Sequence, residues 1–124
     1  MSIPDNLLYT KDHEWIYIDD DIATIGITDY AQGELGDIIF IEFPEKGIKF
    51  QSGDPVGTIE AVKTVADIYT PVDGEILDIN VELEDKPESI NKDPYEKGWI
   101  IKLCKIPKDV SLLLTASDYD KLIQ

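Results

Sequence analysis

Branched and aromatic residues recur at every second position, or in short runs, over Glu14–Ile18, Ile22–Ile27, Ile38–Phe43, Val56–Val62, Val65–Thr70, Glu75–Val81 and Trp99–Leu103. That spacing belongs to strands, because neighbouring side chains on a strand point to opposite faces. Gly36, Gly47, Gly53, Gly57, Gly74 and Gly98 fall near the ends of these runs or between them, where the chain has to turn. Short strands at this density predict an all-β sandwich or barrel. Helices are expected only at the periphery. Thr28-Asp29 can cap one that runs to about Leu35, and Pro87–Asn91 can form another turn. Pro107 can begin a helical piece through Val110–Leu114. Thr115-Ala116-Ser117-Asp118 resembles a capping box, after which Ala116, Tyr119, Leu122 and Ile123 share one face that docks on the sheet.

Between Gly57 and Ile76 the pattern mirrors itself about Lys63. A hairpin with Lys63-Thr64 as a two-residue loop pairs Val62 with Val65, Ala61 with Ala66, Glu60 with Asp67 and Ile59 with Ile68. Small and branched residues then face inward, and the lysine stands in solvent at the apex. On the residues alone, Lys63 is either an ordinary solvated hairpin charge or a presented attachment point. Glu60 opposite Asp67 is a pair of like charges that repel unless a cation lies between them, which suggests a cation-accepting acidic patch. A weaker repeat links Ala23–Gly26 followed by Gly36–Ile41 to Gly57–Glu60 followed by Gly74–Ile79, and the lysine hairpin lies in the longer second interval.

The chain has 124 residues and 43% hydrophobic content, enough for one domain (1–124) that buries roughly two-thirds of its unfolded surface. No apolar run approaches the roughly 18 residues of a membrane span. Met1-Ser2-Ile3-Pro4-Asp5 shows neither a signal-peptide nor a transit-peptide pattern, so a cytoplasmic location is expected. The net charge of −15, from 26 acidic and 11 basic residues, disfavours nucleic acid and anionic membranes as partners. It favours solubility and steered encounter with basic surfaces. Cys104 is the single cysteine and ends a strand, so a half-buried structural thiol is expected, with no disulfide and no metal cluster. His13 is the single histidine and reads as a structural residue packed beside Trp15. No pair of carboxylates is marked out for hydrolytic chemistry, and no catalytic residue is assigned.

Glu60-Ala61-Val62-Lys63, Asp67-Ile68, Pro71 and Gly74-Glu75-Ile76 together resemble the lipoyl-lysine segment of the glycine cleavage system H protein family. Three further blocks follow that family's order: Tyr9–Trp15 with its His-Glu-Trp, Ala23–Gln32 with Leu35-Gly36-Asp37 after it, and Pro87, Ile90-Asn91, Asp93–Tyr95 and Gly98-Trp99. Together they span nearly the whole chain.

The resemblance implies a barrel-sandwich of two small antiparallel sheets, with residues 22–104 as the lipoyl-binding core and the N-terminal segment and C-terminal helices packed on it. It implies lipoate as the cofactor, covalently attached to Lys63. The implied function is a non-catalytic carrier that takes an aminomethyl group from a pyridoxal-phosphate glycine decarboxylase to an aminomethyltransferase. Electrons then pass to dihydrolipoyl dehydrogenase, and a lipoate ligase or a lipoyl or octanoyl transferase installs the arm. Glu14 and Asp67 stand where the family places acids that hold the cationic amine, and Glu60 joins them through the hairpin register above. Acylation of Lys63 would take the net charge from −15 to −16. Asp12 and Glu34 depart from the family pattern, where a small hydroxyl residue and a histidine are common, so roles of those groups do not carry over. A lipoyl donor or relay for other lipoate-dependent complexes uses the same lysine and stays open as an alternative. A biotin carrier is disfavoured, because Val62 and Thr64 flank the lysine where methionines are usual.

Overall fold

The computed structural model describes residues 2–124. It consists of two antiparallel sheets with short helices at their margins. In chain order the elements are β1 (Leu8–Tyr9), β2 (Glu14–Asp19), β3 (Ile22–Ile27), α1 (Asp29–Leu35), β4 (Ile38–Glu42), β5 (Lys49–Phe50) and β6 (Pro55–Ala61). They continue with β7 (Val65–Tyr69), β8 (Gly74–Ile79), α2 (Glu82–Asp85), α3 (Ser89–Lys92), β9 (Ile101–Cys104) and α4 (Ala116–Ile123). A six-stranded sheet runs β1-β2-β3-β9-β8-β5, and a three-stranded sheet runs β4-β6-β7. The barrel-sandwich expectation holds, although the two sheets are unequal in size.

The main core lies between the sheets. Ile16, Ile25, Ile59, Ile68, Ile76, Ile101 and Leu103 are buried together in it, each burial worth about 1.5–3 kcal/mol. A second cluster covers the outer face of the larger sheet, where Leu7, Tyr9, Trp15 and Tyr119 pack with Tyr95 and Trp99. β2 is therefore buried on both faces at its start, and Glu14, Trp15 and Ile16 are all inaccessible. Trp15 lies so close over β3 that a Cβ on Gly26 would sit 2.6 Å from the indole. Its ring nitrogen donates to Pro94 O at 2.9 Å.

α1 begins where the sequence predicts. Thr28 is extended (φ −75, ψ 166) and its hydroxyl accepts from the Ala31 amide, the usual satisfaction of an orphan helix donor. Asn91 on α3 then joins three elements. Its amide group donates to Gln32 Oε1 and Gly36 O at 2.9 Å each, and its oxygen accepts from the Ile38 amide at 3.0 Å. The lysine hairpin is thereby fixed to α1 through β4.

Three expectations are corrected. Val110–Leu114 forms a turn and a bridge in place of a helix: Asp109 Oδ1 accepts the Ser111 amide at 3.0 Å, and Leu114 pairs with Tyr9 across the β1 edge. Extended pairing outcompetes a single helical turn there. On α4, Ala116 and Tyr119 are buried, but Leu122 is 49% exposed and outside the docked face. The third is the register of the lysine hairpin, in which Glu60 pairs with Val65 and not with Asp67.

Candidate functional site

The hairpin joins β6 to β7, and Lys63 stands exposed in its loop. The Ala61 amide donates to Thr64 O at 2.8 Å, so the two loop residues are Val62 and Lys63, one position earlier than the mirror pattern predicts. Ile59 pairs with Ala66, Glu60 with Val65, and Thr58 with Asp67. The Val62 amide donates to Asp37 O at 3.0 Å, a tie to the residue just before β4 that the hairpin sequence does not reveal. Every partner moves by two positions. The inward set therefore survives, because an even shift leaves each side chain on its own face. The facing pair of Glu60 and Asp67 does not survive. Both are exposed on the outer face of the three-stranded sheet as diagonal neighbours, and Asp67 accepts a hydrogen bond from the Thr58 hydroxyl at 3.3 Å.

Lys63 makes no hydrogen bond or ion pair among the described residues. The ion pairs found there are Lys46–Asp78 and Lys105–Glu75, each at 3.4 Å. Val62 and Val65 flank the lysine at 67% and 60% exposure. This tip is fixed at its base and bare at its apex.

Glu14 is the opposite kind of group. It opens β2 and is only 3% exposed. One carboxylate oxygen accepts from the Thr10 hydroxyl at 2.8 Å, and the other accepts from the Tyr69 amide at 3.1 Å. Tyr69 ends β7, an edge strand. The Glu14 side chain thus crosses between the sheets and binds the lysine hairpin two residues beyond Asp67. Thr10 is committed to this contact, because its hydroxyl already accepts from the amides of Asp12 and Glu14 at 3.2 Å each. No cation among the described residues pairs with the carboxyl. Burial pushes its pKa up to about 7, with Asp12 adding to the rise and the Thr10 and Tyr69 hydrogen bonds opposing it. A buried carboxyl with two donors and no counter-ion favours an incoming cation that brings its own hydrogen bonds.

His13 packs against Tyr30 and Tyr119: its ring lies 4.7 Å from Tyr30 and 5.7 Å from Tyr119. Cys104 ends β9 half-buried, with Sγ 3.6 Å from Glu75 O. Two contributors to the site escaped the sequence reading. Tyr69 acts through its backbone amide, which leaves no side-chain signature. Thr10 lies four residues before Glu14, and only the turn between them makes that spacing meaningful.

A two-sheet β sandwich that raises a bare lysine on a hairpin, with a buried carboxyl bound at the far end of the hairpin's second strand, fits a swinging-arm carrier. The family model described as glycine cleavage H-protein matches residues 7–124. The glycine cleavage system H protein of Listeria welshimeri is 52% identical over 122 residues, covering 98% of each chain. That of Listeria monocytogenes serovar 1/2a is 52% identical over 124 residues, covering 99% of each. The crystal structure of a glycine cleavage system H protein from Mycobacterium marinum superposes with a TM-score of 0.89 at 39% identity, covering 96% of this chain and 97% of that one. The chain belongs to the glycine cleavage H-protein family, and its role is that of the lipoyl carrier in glycine cleavage.

Proposed function

We propose that Lys63 is the point at which lipoate is attached, and that the chain carries its cargo without catalysing a reaction. The observation that supports this is the bare lysine on a hairpin whose far strand is bound by the buried Glu14. Lys63 presents a primary amine to solvent. It becomes an amide only when a ligase or a lipoyl or octanoyl transferase delivers an activated acyl group. Once attached, the group would supply a dithiolane, a disulfide able to carry both the aminomethyl carbon and the electron pair that opens the ring.

The remaining work belongs to this chain's own residues. Lys63 anchors the arm in solvent. Glu14 and Asp67 hold the cationic amine of the cargo, Glu14 from within and Asp67 from the rim. Glu60 contributes surface charge on the same face as Asp67, without facing it. The partners on this reading are a glycine decarboxylase that loads the arm, an aminomethyltransferase that unloads it and a dihydrolipoyl dehydrogenase that restores it, all in the cytoplasm.

Intact-mass analysis of protein from lipoate-replete cells tests the attachment. A lipoyl adduct mapped to Lys63 is expected, and its absence, or a biotin adduct, overturns the reading. The holding role is tested by loading Glu14→Ala and Asp67→Ala proteins with methylamine and following release. Both are expected to release it faster than wild type, and an unchanged lifetime overturns the role of the residue concerned.

A further inference from the structure

Glu14 projects from a tight turn, and the C-terminal segment holds that turn at both ends. On the near side, Leu114 and Tyr9 exchange both backbone hydrogen bonds at 2.8 Å. On the far side, the Tyr119 hydroxyl on α4 lies 2.8 Å from His13 Nδ1 and 2.7 Å from Thr28 Oγ1. Tyr119 is wholly buried, and its ring stacks on Tyr9 at 4.8 Å with 10° between the planes. Between these two holds the chain closes on itself: the His13 amide donates to Thr10 O at 3.1 Å, and the Thr10 amide donates to Glu14 O at 3.0 Å.

The turn needs the hold. His13 sits at φ 67, in the left-handed region that residues with a Cβ avoid, and such a conformation persists only when its surroundings over-determine it. Its carbonyl accepts from the Thr28 amide at 3.0 Å, so backbone and side chain both meet the Thr28–Tyr119 pair. α4 is itself anchored by a complete capping box, in which Thr115 and Asp118 satisfy each other's amides. Glu14 receives one of its two hydrogen bonds from Thr10, inside this turn. A rotation of the turn would withdraw that hydroxyl and open the carboxyl to water.

We propose that Tyr119 is a positioning residue for the arm site: from α4 it locks the Thr10–His13 turn, and so sets how long a cationic group on the arm stays shielded by Glu14. The inference rests on the holding role proposed for Glu14 above. It assigns the C-terminal helix a part in carrying cargo, although that helix lies outside the lysine hairpin.

The test uses the full-length lipoylated chain, loaded with methylamine by a glycine decarboxylase, with release followed by mass. Tyr119→Phe keeps the stacked ring and removes both hydroxyl hydrogen bonds. Its adduct lifetime is expected to fall about threefold to tenfold, the effect of roughly one lost hydrogen bond. The Glu14 titration midpoint, read by carboxyl NMR, is expected to move down from about 7 as water reaches the group. The groups that act on Glu14 are the Thr10 hydroxyl and Asp12 from its own turn and the Tyr69 amide from β7.

Burial disfavours the charged form of His13, so a neutral imidazole and the Tyr119 hydroxyl share one proton across the 2.8 Å contact. His13→Asn places an amide oxygen where Nδ1 lies and suits the left-handed backbone, so it is expected to keep most of the wild-type lifetime. His13→Leu is expected to behave like Tyr119→Phe. If Glu14→Gln shortens the lifetime and Tyr119→Phe does not, the positioning role falls alone. If Glu14→Gln also leaves it unchanged, the holding role falls first. Should Tyr119→Phe fail to fold, the two His13 variants decide, and equal lifetimes in them overturn the proposal.

Discussion

The hairpin tip and the Glu14 turn lie at the two ends of β7, and they are built on opposite principles. At the tip, two loop residues carry large exposed side chains, and Lys63 has no partner among the described residues. At the turn, every polar atom of Glu14 and Thr10 is committed, and the carboxyl is only 3% exposed. The tip is positioned by its base alone, through the amides of Ala61 and Val62. The turn is held from three directions, by β7, by α1 through Thr28 and by α4 through Tyr119. An exposed amine and a buried carboxyl make opposite demands on the surrounding structure, and the fold meets them at opposite ends of one strand.

The sharpest break of this comparison is at the tip. Lys63→Arg keeps the charge but offers no amine that forms the amide, so complete loss of the lipoyl adduct is expected by intact mass. The melting temperature should stay unchanged, because surface substitutions of this kind usually stay within about 0.5 kcal/mol. Chemistry without stability is the signature of a presented group.

Glu14 should show the reverse weighting. Its pKa is raised from 4.5 to about 7 in the fold, so the folded state binds the proton more tightly than the unfolded chain. Stability is then highest below about pH 4.5 as far as this group is concerned, falls through the window up to about 7, and is flat above it. The whole drop corresponds to about 3 kcal/mol by linkage. Denaturant midpoints measured across that window should show the decline in wild type, and Glu14→Gln should flatten it. A wild-type profile rising through the same window would contradict the buried, unpaired carboxyl.

The smallest effect probes the third hold. Thr115→Ala removes the helix cap of α4 and should cost about 1 kcal/mol by chemical denaturation. It should leave lipoylation of Lys63 untouched, because the tip takes none of its position from α4.

Strands were the most legible part of this sequence. β3 is read to the residue as Ile22–Ile27, since its branched residues recur in a short run bounded by turn residues. β1 and β5 were missed because two residues carry no period. Val110–Leu114 has helical spacing, yet its fate is decided by Tyr9, a partner more than a hundred positions away. The hairpin register illustrates a different limit. Mirror symmetry about Lys63 constrains which face each residue takes, but two registers share those faces. Only the Val62 amide on Asp37 selects between them. For the proposed site, Lys63, Glu14 and Asp67 could be named from the family's motifs, whereas the burial of one acid and the exposure of the other depend on what covers them.

The contact of Glu14 with the Tyr69 amide has a consequence for crowded solutions. β7 is an edge strand of its sheet, and an open edge is a template on which a second copy can add a strand. Here the last amide of that edge is already taken by a side chain, and Asp67 sets a negative charge midway along it. Two such edges brought together would meet an interrupted ladder and like charges. The contact that holds Glu14 thus also leaves this edge a poor template for a second copy of the chain.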